Sequence, residues 1–120
     1  MSNTMMHITN RDFDKEVLEC QLPVLVCFTA KWCRSCLPAC RFSDQLATEY
    51  GGNVKFVRLD MEENPEIATR YNIIVVPTIA LFQNSQPVKR FLGFQEQKSL
   101  RSLLDSVTER EVSSSSEGLN

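Results

Sequence analysis

An unbroken run of apolar residues from Val24 to Phe28 is the clearest structural signal in the chain. A strand that is apolar on both faces is typical of the centre of a sheet with helices on either side. Two alternating apolar sets from Asn53 to Asp60 predict a second strand. Three shorter strands are expected at Met5 to Thr9, at Thr78 to Phe82 and, after a turn at Asn84 to Gln86, at Val88 to Leu92.

Helical periodicity appears between these strands and after the last of them. The final helix is the plainest, because its apolar residues Leu100, Leu103, Leu104 and Val107 recur at i, i+3, i+4 and i+7. Three more helices are expected, from a cap at Thr9 or Asn10 to Leu22, from Cys33 to Tyr50 and from Asn64 to Tyr71. Pro38 lies deep in the second of these and predicts a kink or an irregular start.

This order of elements predicts an α/β fold with a mixed sheet of about five strands, flanked by four helices on both faces. The chain has 120 residues, 42% of them hydrophobic and 23% charged, which suits one hydrophobic core. We place the domain at residues 1–110. Residues 111–120, which include four consecutive serines, have little to bury and are expected to form a disordered tail.

Charge and hydropathy exclude two broad classes of partner. Thirteen basic against 15 acidic side chains give a net charge of -2, so we expect no nucleic-acid binding. No run approaches the ~18 apolar residues of a membrane span, so no membrane insertion is expected. Residues 1–7 do not resemble an export signal. We therefore expect a monomer in the cytoplasm, or in an organelle stroma or matrix if a transit peptide has been removed.

The five cysteines are an odd number in a chain without an export signal, which favours reactive thiols over a structural disulfide framework. Cys33 and Cys36 lie between the apolar strand and a helix, three residues apart, where two sulfurs can close a disulfide with little backbone change. Cys33 meets the positive end of the helix dipole, which stabilises a thiolate, and is the predicted nucleophile. Cys36, one turn deeper, is the predicted resolving thiol.

Here the chain resembles the thioredoxin family over about residues 5 to 108. The segments that carry the resemblance are Val24 to Phe28, Ala30 to Cys36, Asp60 to Asn64-Pro65 with Tyr71, Val76-Pro77-Thr78 and Gly93. The resemblance implies that Pro77 corresponds to the family's cis proline. The resemblance implies the thioredoxin fold and a protein disulfide oxidoreductase that needs no cofactor. It also implies that Trp32, Val76, Pro77 and Gly93 bind disulfide-containing target proteins, and that a thioredoxin-reductase-type or other dithiol donor supplies electrons.

Two departures from the family pattern concern the redox chemistry. Arg34 and Ser35 stand where thioredoxins carry Gly-Pro, and the charge of Arg34 should favour thiolate and a more oxidising pair. Cys27 stands at the position of the family's buried acid, and a buried neutral thiol is a poor base near pH 7. Arg58 takes the place of the lysine near that acid.

A third departure is Cys40, four residues after Cys36, which raises one alternative to the redox interpretation. Cys33, Cys36 and Cys40 share a predicted helix face and form a possible ligand set for zinc or an iron–sulfur cluster. The simpler interpretation, which we prefer, is that Cys40 packs in the core. A second alternative to the redox interpretation, independent of Cys40, is a non-catalytic interaction module that uses the fold only for docking. Retention of both motif cysteines argues against it.

Overall fold

Five strands form one mixed sheet. The computed structural model describes residues 5–92 and 97–108, and its strands are β1 (Met6–His7), β2 (Val24–Thr29), β3 (Lys55–Asp60), β4 (Thr78–Gln83) and β5 (Gln86–Leu92). Their order across the sheet is β1-β3-β2-β4-β5. The first three of these are parallel, whereas β4 runs antiparallel to β2, and β5 runs antiparallel to β4. The predicted mixed sheet of five strands is confirmed.

In the part of the chain that the structure describes, four helices accompany the sheet, as predicted, but two of them differ in extent. They are a π-helical segment (Asp14–Leu18), α1 (Cys36–Tyr50), α2 (Pro65–Arg70) and α3 (Gln97–Thr108). The first is only one wide turn of the helix expected up to Leu22. Helix α1 begins at Cys36 rather than Cys33, so Pro38 falls within its first turn. An amide there needs no partner inside the helix, and proline is therefore accommodated at the helix start. The turn at Arg34 and Ser35 before the helix fits the irregular start that was one of the two expectations.

The core has two layers because alternate residues of β2 face opposite sides of the sheet. Leu25 and Cys27 pack in the layer that contains α1 and α3, together with Leu46 and Leu104. Val24, Val26 and Phe28 pack in the opposite layer with Phe13 of the N-terminal region and Ile67 of α2. All six residues of β2 are buried, which confirms the central strand predicted from the apolar run.

The segment before Pro77 departs from its apolar pattern. Ile73 is buried, but Ile74 and Val75 are exposed, and residues 73–77 form no strand. The Val76-Pro77 peptide bond is cis. Beyond it, β4 and β5 are joined by a tight turn at Asn84 and Ser85, both of which adopt positive φ. The extended backbone of β4 therefore starts directly after an exposed apolar loop.

Two sequence predictions fall outside the described residues. These are the position of Gly93 beside the site and the serine-rich tail at 111–120. Among the described residues, no helix is long and apolar enough to cross a membrane.

Candidate active site

The Cys33 and Cys36 sulfurs are joined in a disulfide at the junction between β2 and α1. Their Cα atoms are 5.3 Å apart, within the normal range for a disulfide. The loop is folded by local hydrogen bonds, because Cys33 N–H donates to the Ala30 carbonyl at 3.1 Å and Cys36 N–H donates to the Cys33 carbonyl at 3.3 Å. The buried strand thus delivers two thiols to one end of the sheet, at the start of a helix.

The loop that contains Val76 and Pro77 packs against this disulfide. Val76 is partly buried against the cluster of Ala30, Cys33 and Cys36, and Pro77 is buried. The Thr78 hydroxyl donates a 2.6 Å hydrogen bond to the Val75 carbonyl, which holds the loop at the start of β4. Two segments that are distant in sequence, the β2–α1 junction and the loop before β4, therefore meet at the cysteines.

Exposed apolar side chains surround this end of the sheet. Trp32 is 66% exposed next to Cys33, and Ile74 is 75% exposed in the loop before Pro77. Val75, Leu37 in the first turn of α1, and Leu92 opposite Thr78 are also exposed. We call Trp32, Leu37, Ile74, Val75 and Leu92 the apolar rim. Exposed apolar residues grouped in this way are typical of a surface that binds other molecules.

A side-chain hydroxyl lies beside the predicted nucleophile. Ser35 Oγ is 3.5 Å from Cys33 Sγ, within hydrogen-bond distance for sulfur. When Cys33 is reduced to a thiolate, the hydroxyl is placed to donate to it. Arg34, between them in sequence, is exposed to solvent. The sequence identified Ser35 only through the loss of a proline, and the contact with Cys33 is new.

Cys27 and Cys40 are in contact beneath the site, beside the positive charge of Arg58. Cys27 of β2 is paired in register with Arg58 of β3, so both side chains lie on the sheet face that α1 covers. Cys40 lies on α1, close enough to Cys27 for each thiol to shift the pKa of the other. Within the described part of the chain, Arg58 Nε is a buried nitrogen with no hydrogen-bond partner.

This contact makes the two thiols unequal. The interaction with Cys40 and burial both raise the pKa of Cys27 well above that of an ordinary thiol. The interaction with Cys27, together with the charge of Arg58, lowers the pKa of Cys40 to about 6 although burial opposes it. The ionised form is therefore favoured at Cys40 and the neutral thiol at Cys27. The expectation that Cys27 is a poor base fits this arrangement, and Cys40 packs in the core as predicted.

A cavity of about 220 Å³ reaches from the Cys33–Cys36 disulfide to Cys40. Arg58 also lines it, and charged side chains of the β3–α2 region contribute as well. Lys31 and Glu63 form an exposed ion pair there at 2.5 Å. Water-sized molecules can therefore occupy space next to three sulfur atoms.

Comparison with known proteins identifies this arrangement. The family model described as thioredoxin matches residues 4–106. The chain is 40% identical to the thioredoxin of Rickettsia felis over 78% of its own length and 90% of the relative. It is 37% identical to thioredoxin 1 of Synechococcus elongatus over 82% of its length and 92% of that protein, and 36% identical to a Staphylococcus aureus thioredoxin over 84% and 95%.

The chain belongs to the thioredoxin family. It is a thiol–disulfide oxidoreductase, as its disulfide-bonded Cys33 and Cys36 and its thioredoxin relatives show. Proteins of the thioredoxin family reduce disulfides in target proteins and receive electrons from a reductase.

The alternative of a three-cysteine metal site finds no support in the geometry. Helix α1 does not include Cys33, so the three cysteines do not share one helix face as predicted. In residues 5–92 and 97–108, no three His, Cys, Asp or Glu side chains are grouped as a metal site requires. Cys40 instead contacts Cys27, a residue from a different element of this thioredoxin fold.

Proposed function

We propose that Cys33 attacks disulfides of target proteins and that Cys36 resolves the intermediate. The observation that supports these roles is the placement of the pair beside the Val76-Pro77 loop and within the apolar rim. Cys33 precedes the helix and Cys36 is its first residue, so the outer thiol meets the target first. The substrates are extended, disulfide-containing segments of proteins.

The exchange cycle has two displacements. The Cys33 thiolate attacks one sulfur of the target disulfide, a mixed disulfide forms, and the other target sulfur leaves as a thiolate. The Cys36 thiolate then attacks Cys33 Sγ, which releases the second target sulfur and forms the Cys33–Cys36 disulfide. The target gains two electrons, and this protein loses them. A thioredoxin-reductase-type or other dithiol donor returns the pair to the reduced state.

Target binding in this proposal involves the backbone as well as the rim. Trp32 provides an exposed aromatic surface, and Val76 and Pro77 present backbone groups to an extended target segment. Gly93 is assigned to the same surface by its position in the family pattern. The site thus selects accessible, extended disulfide segments over compact ones.

Replacement of Ile74 by Asp is expected to weaken target binding. Ile74 is 75% exposed on the apolar rim, and a carboxylate there would have to be desolvated against an apolar segment. We expect KM for a disulfide-linked protein to rise about fivefold, while the reaction with a small aromatic disulfide changes little. Val88→Asp on β5, where Val88 is 49% exposed, is the control. Equal effects of the two substitutions would remove Ile74 from the binding surface.

The Cys33/Cys36 pair is, we propose further, more oxidising than that of a thioredoxin with Gly-Pro between the cysteines. Arg34 adds a positive charge next to Cys33, and the Ser35 hydroxyl lies 3.5 Å from its sulfur. Both groups stabilise a thiolate and therefore the reduced form. A more stable reduced form corresponds to a less negative reduction potential.

Replacement of Arg34-Ser35 by Gly-Pro is expected to make the reduction potential more negative by about 30 mV or more, which corresponds to about 1.4 kcal/mol. The measurement is equilibration with a glutathione buffer. Ser35→Ala and Arg34→Gln separate the hydroxyl from the charge, and Arg41→Gln, an exposed arginine farther along α1, is the matched charge control. An unchanged or less negative potential in the Gly-Pro variant would refute the assignment of Arg34 and Ser35.

The proposed location is the cytoplasm, or an organelle stroma or matrix, and the proposed state is a monomer. The support is the bacterial origin of the thioredoxins to which the chain is similar, together with the reducing conditions that a reductase-coupled dithiol needs.

A further inference from the structure

Two thiols that the exchange cycle does not use lie in contact inside the domain. Cys27 is 0% exposed on β2, and Cys40 is 7% exposed on α1. The two residues are 13 positions apart in sequence and are brought together only because α1 crosses this face of the sheet. The two side chains belong to one core cluster, and Cys27 is paired in register with Arg58, which lines a cavity together with Cys40. A disulfide between them requires the two sulfurs to approach to about 2 Å.

The surroundings of the pair favour oxidation of Cys40 rather than Cys27. Cys40 lines the cavity of about 220 Å³, whereas Cys27 does not. Arg58, which lines the same cavity, places positive charge beside Cys40. A thiolate is the form of cysteine that reacts with oxidants, and nearby positive charge stabilises both it and an incoming anionic transition state.

The size of the opening limits which oxidants can reach Cys40. The cavity has room for several water-sized molecules, but Cys40 is only 7% exposed at its wall. A hydroperoxide such as hydrogen peroxide is close to water in size and can approach the sulfur. Glutathione disulfide is a branched peptide dimer and cannot bring its S–S bond to a side chain buried this far.

We propose that Cys27 and Cys40 form a second redox site, in which small hydroperoxides oxidise Cys40 and Cys27 then closes an internal disulfide. This inference goes beyond the proposed exchange cycle and does not depend on it. The site is separate from the Cys33–Cys36 disulfide, although both open onto one cavity.

The reaction has two balanced steps. The Cys40 thiolate attacks the terminal oxygen of the hydroperoxide, the O–O bond breaks, and Cys40 becomes a sulfenic acid while the released alkoxide or hydroxide takes a proton from solvent. Cys27 sulfur then attacks Cys40 sulfur, the S–O bond breaks, and hydroxide leaves with the Cys27 proton as water. Two thiols lose two electrons in total, and one hydroperoxide is reduced to an alcohol or water.

The rate should depend on pH in a recognisable way. Because the pKa of Cys40 is lowered to about 6, the thiolate forms as the pH rises from about 5 to about 7, and the rate levels off above that. The groups that face Cys40 are Cys27, Arg58 and Asp44, and the other titratable side chains on the cavity wall are His7, Lys31, Asp60 and Glu63. An ordinary thiol would continue to gain reactivity above about pH 8.

The test uses the full chain with Cys20, Cys33 and Cys36 replaced by Ser, so that Cys27 and Cys40 are the remaining thiols. One equivalent of hydrogen peroxide should remove both thiols and form a disulfide that dithiothreitol reverses, as seen by thiol titration after denaturation and by peptide mapping. At pH 6 we expect oxidation about tenfold faster than that of free cysteine, after allowance for the weaker nucleophilicity of a low-pKa thiolate. Glutathione disulfide should react no faster than it does with free cysteine.

Four companion measurements keep the test decisive even if one variant folds poorly. With Cys27→Ser added, a sulfenic acid on Cys40 should persist and be captured by dimedone, and with Cys40→Ser added, Cys27 should remain unreactive. A variant that keeps only Cys20, which is partly exposed, controls for nonspecific oxidation. Peptide mapping of the peroxide-treated unaltered chain needs no substitution. No Cys27–Cys40 disulfide in that map, or oxidation at Cys20 as fast as at Cys40, would overturn the proposal.

Discussion

Replacement of Cys33 by Ser is expected to reduce the rate of target-disulfide reduction to the uncatalysed background, while Cys36→Ser should trap the target in a stable mixed disulfide. The reason is the division of labour between an attacking thiol before α1 and a resolving thiol at its first residue. Without Cys33 no covalent intermediate forms. Without Cys36 the intermediate forms, but the thiol that resolves it is missing.

The measurement combines a turnover assay with non-reducing electrophoresis of a disulfide-linked protein substrate. Cys20→Ser is the matched control, because Cys20 is a partly exposed thiol outside the site and should leave both readouts unchanged. Capture of the target by the Cys33→Ser variant but not by Cys36→Ser would reverse the assignment of the two roles.

Replacement of Cys27 is expected to have opposite effects depending on the new side chain. Cys27→Ala should leave a small cavity that lowers the free energy of unfolding by roughly 1 kcal/mol, with the exchange cycle still running. Cys27→Asp should accelerate resolution of the mixed disulfide about tenfold or more near pH 7. A carboxylate there would lie beside Arg58 and near Cys40, which follows Cys36 by one turn of α1, and it can accept a proton that a neutral thiol cannot.

Single-turnover resolution of a preformed mixed disulfide separates these outcomes, and thermal unfolding monitors the fold of each variant. Cys27→Asn, which matches the shape of Asp without its charge, is the control for the carboxylate. Loss of turnover in a folded Cys27→Ala variant would mean that Cys27 takes part in exchange, and the two-cysteine cycle would have to be abandoned.

Local patterns predict the elements whose neighbours are close in sequence. The six buried residues of β2 follow from an apolar run, and the hairpin of β4 and β5 follows from two strand patterns around polar turn residues. The Cys33–Cys36 pair was predictable for the same reason, because a separation of three residues is enough to bring two sulfurs together at a helix start.

Contacts between distant elements had no such signal. The apolar residues Ile74 and Val75 are exposed because their loop packs on the disulfide only through Val76, and hydrophobicity alone would have buried them. The contact of Cys27 with Cys40 depends on how α1 crosses the sheet, which the spacing of the two cysteines does not reveal. The unequal thiols that result are a consequence of tertiary packing and of the charge of Arg58.

The reduction potential of the Cys33/Cys36 pair tests the central claim most directly. Equilibration of the full chain with glutathione buffers, followed by acid quenching and mass-spectrometric mapping of Cys33 and Cys36, yields the potential of this pair alone. We predict one reversible two-electron transition at a potential clearly less negative than about -270 mV, the reference value for thioredoxins. The absence of a reversible transition at these two cysteines, or a potential at or below that reference value, would contradict the account.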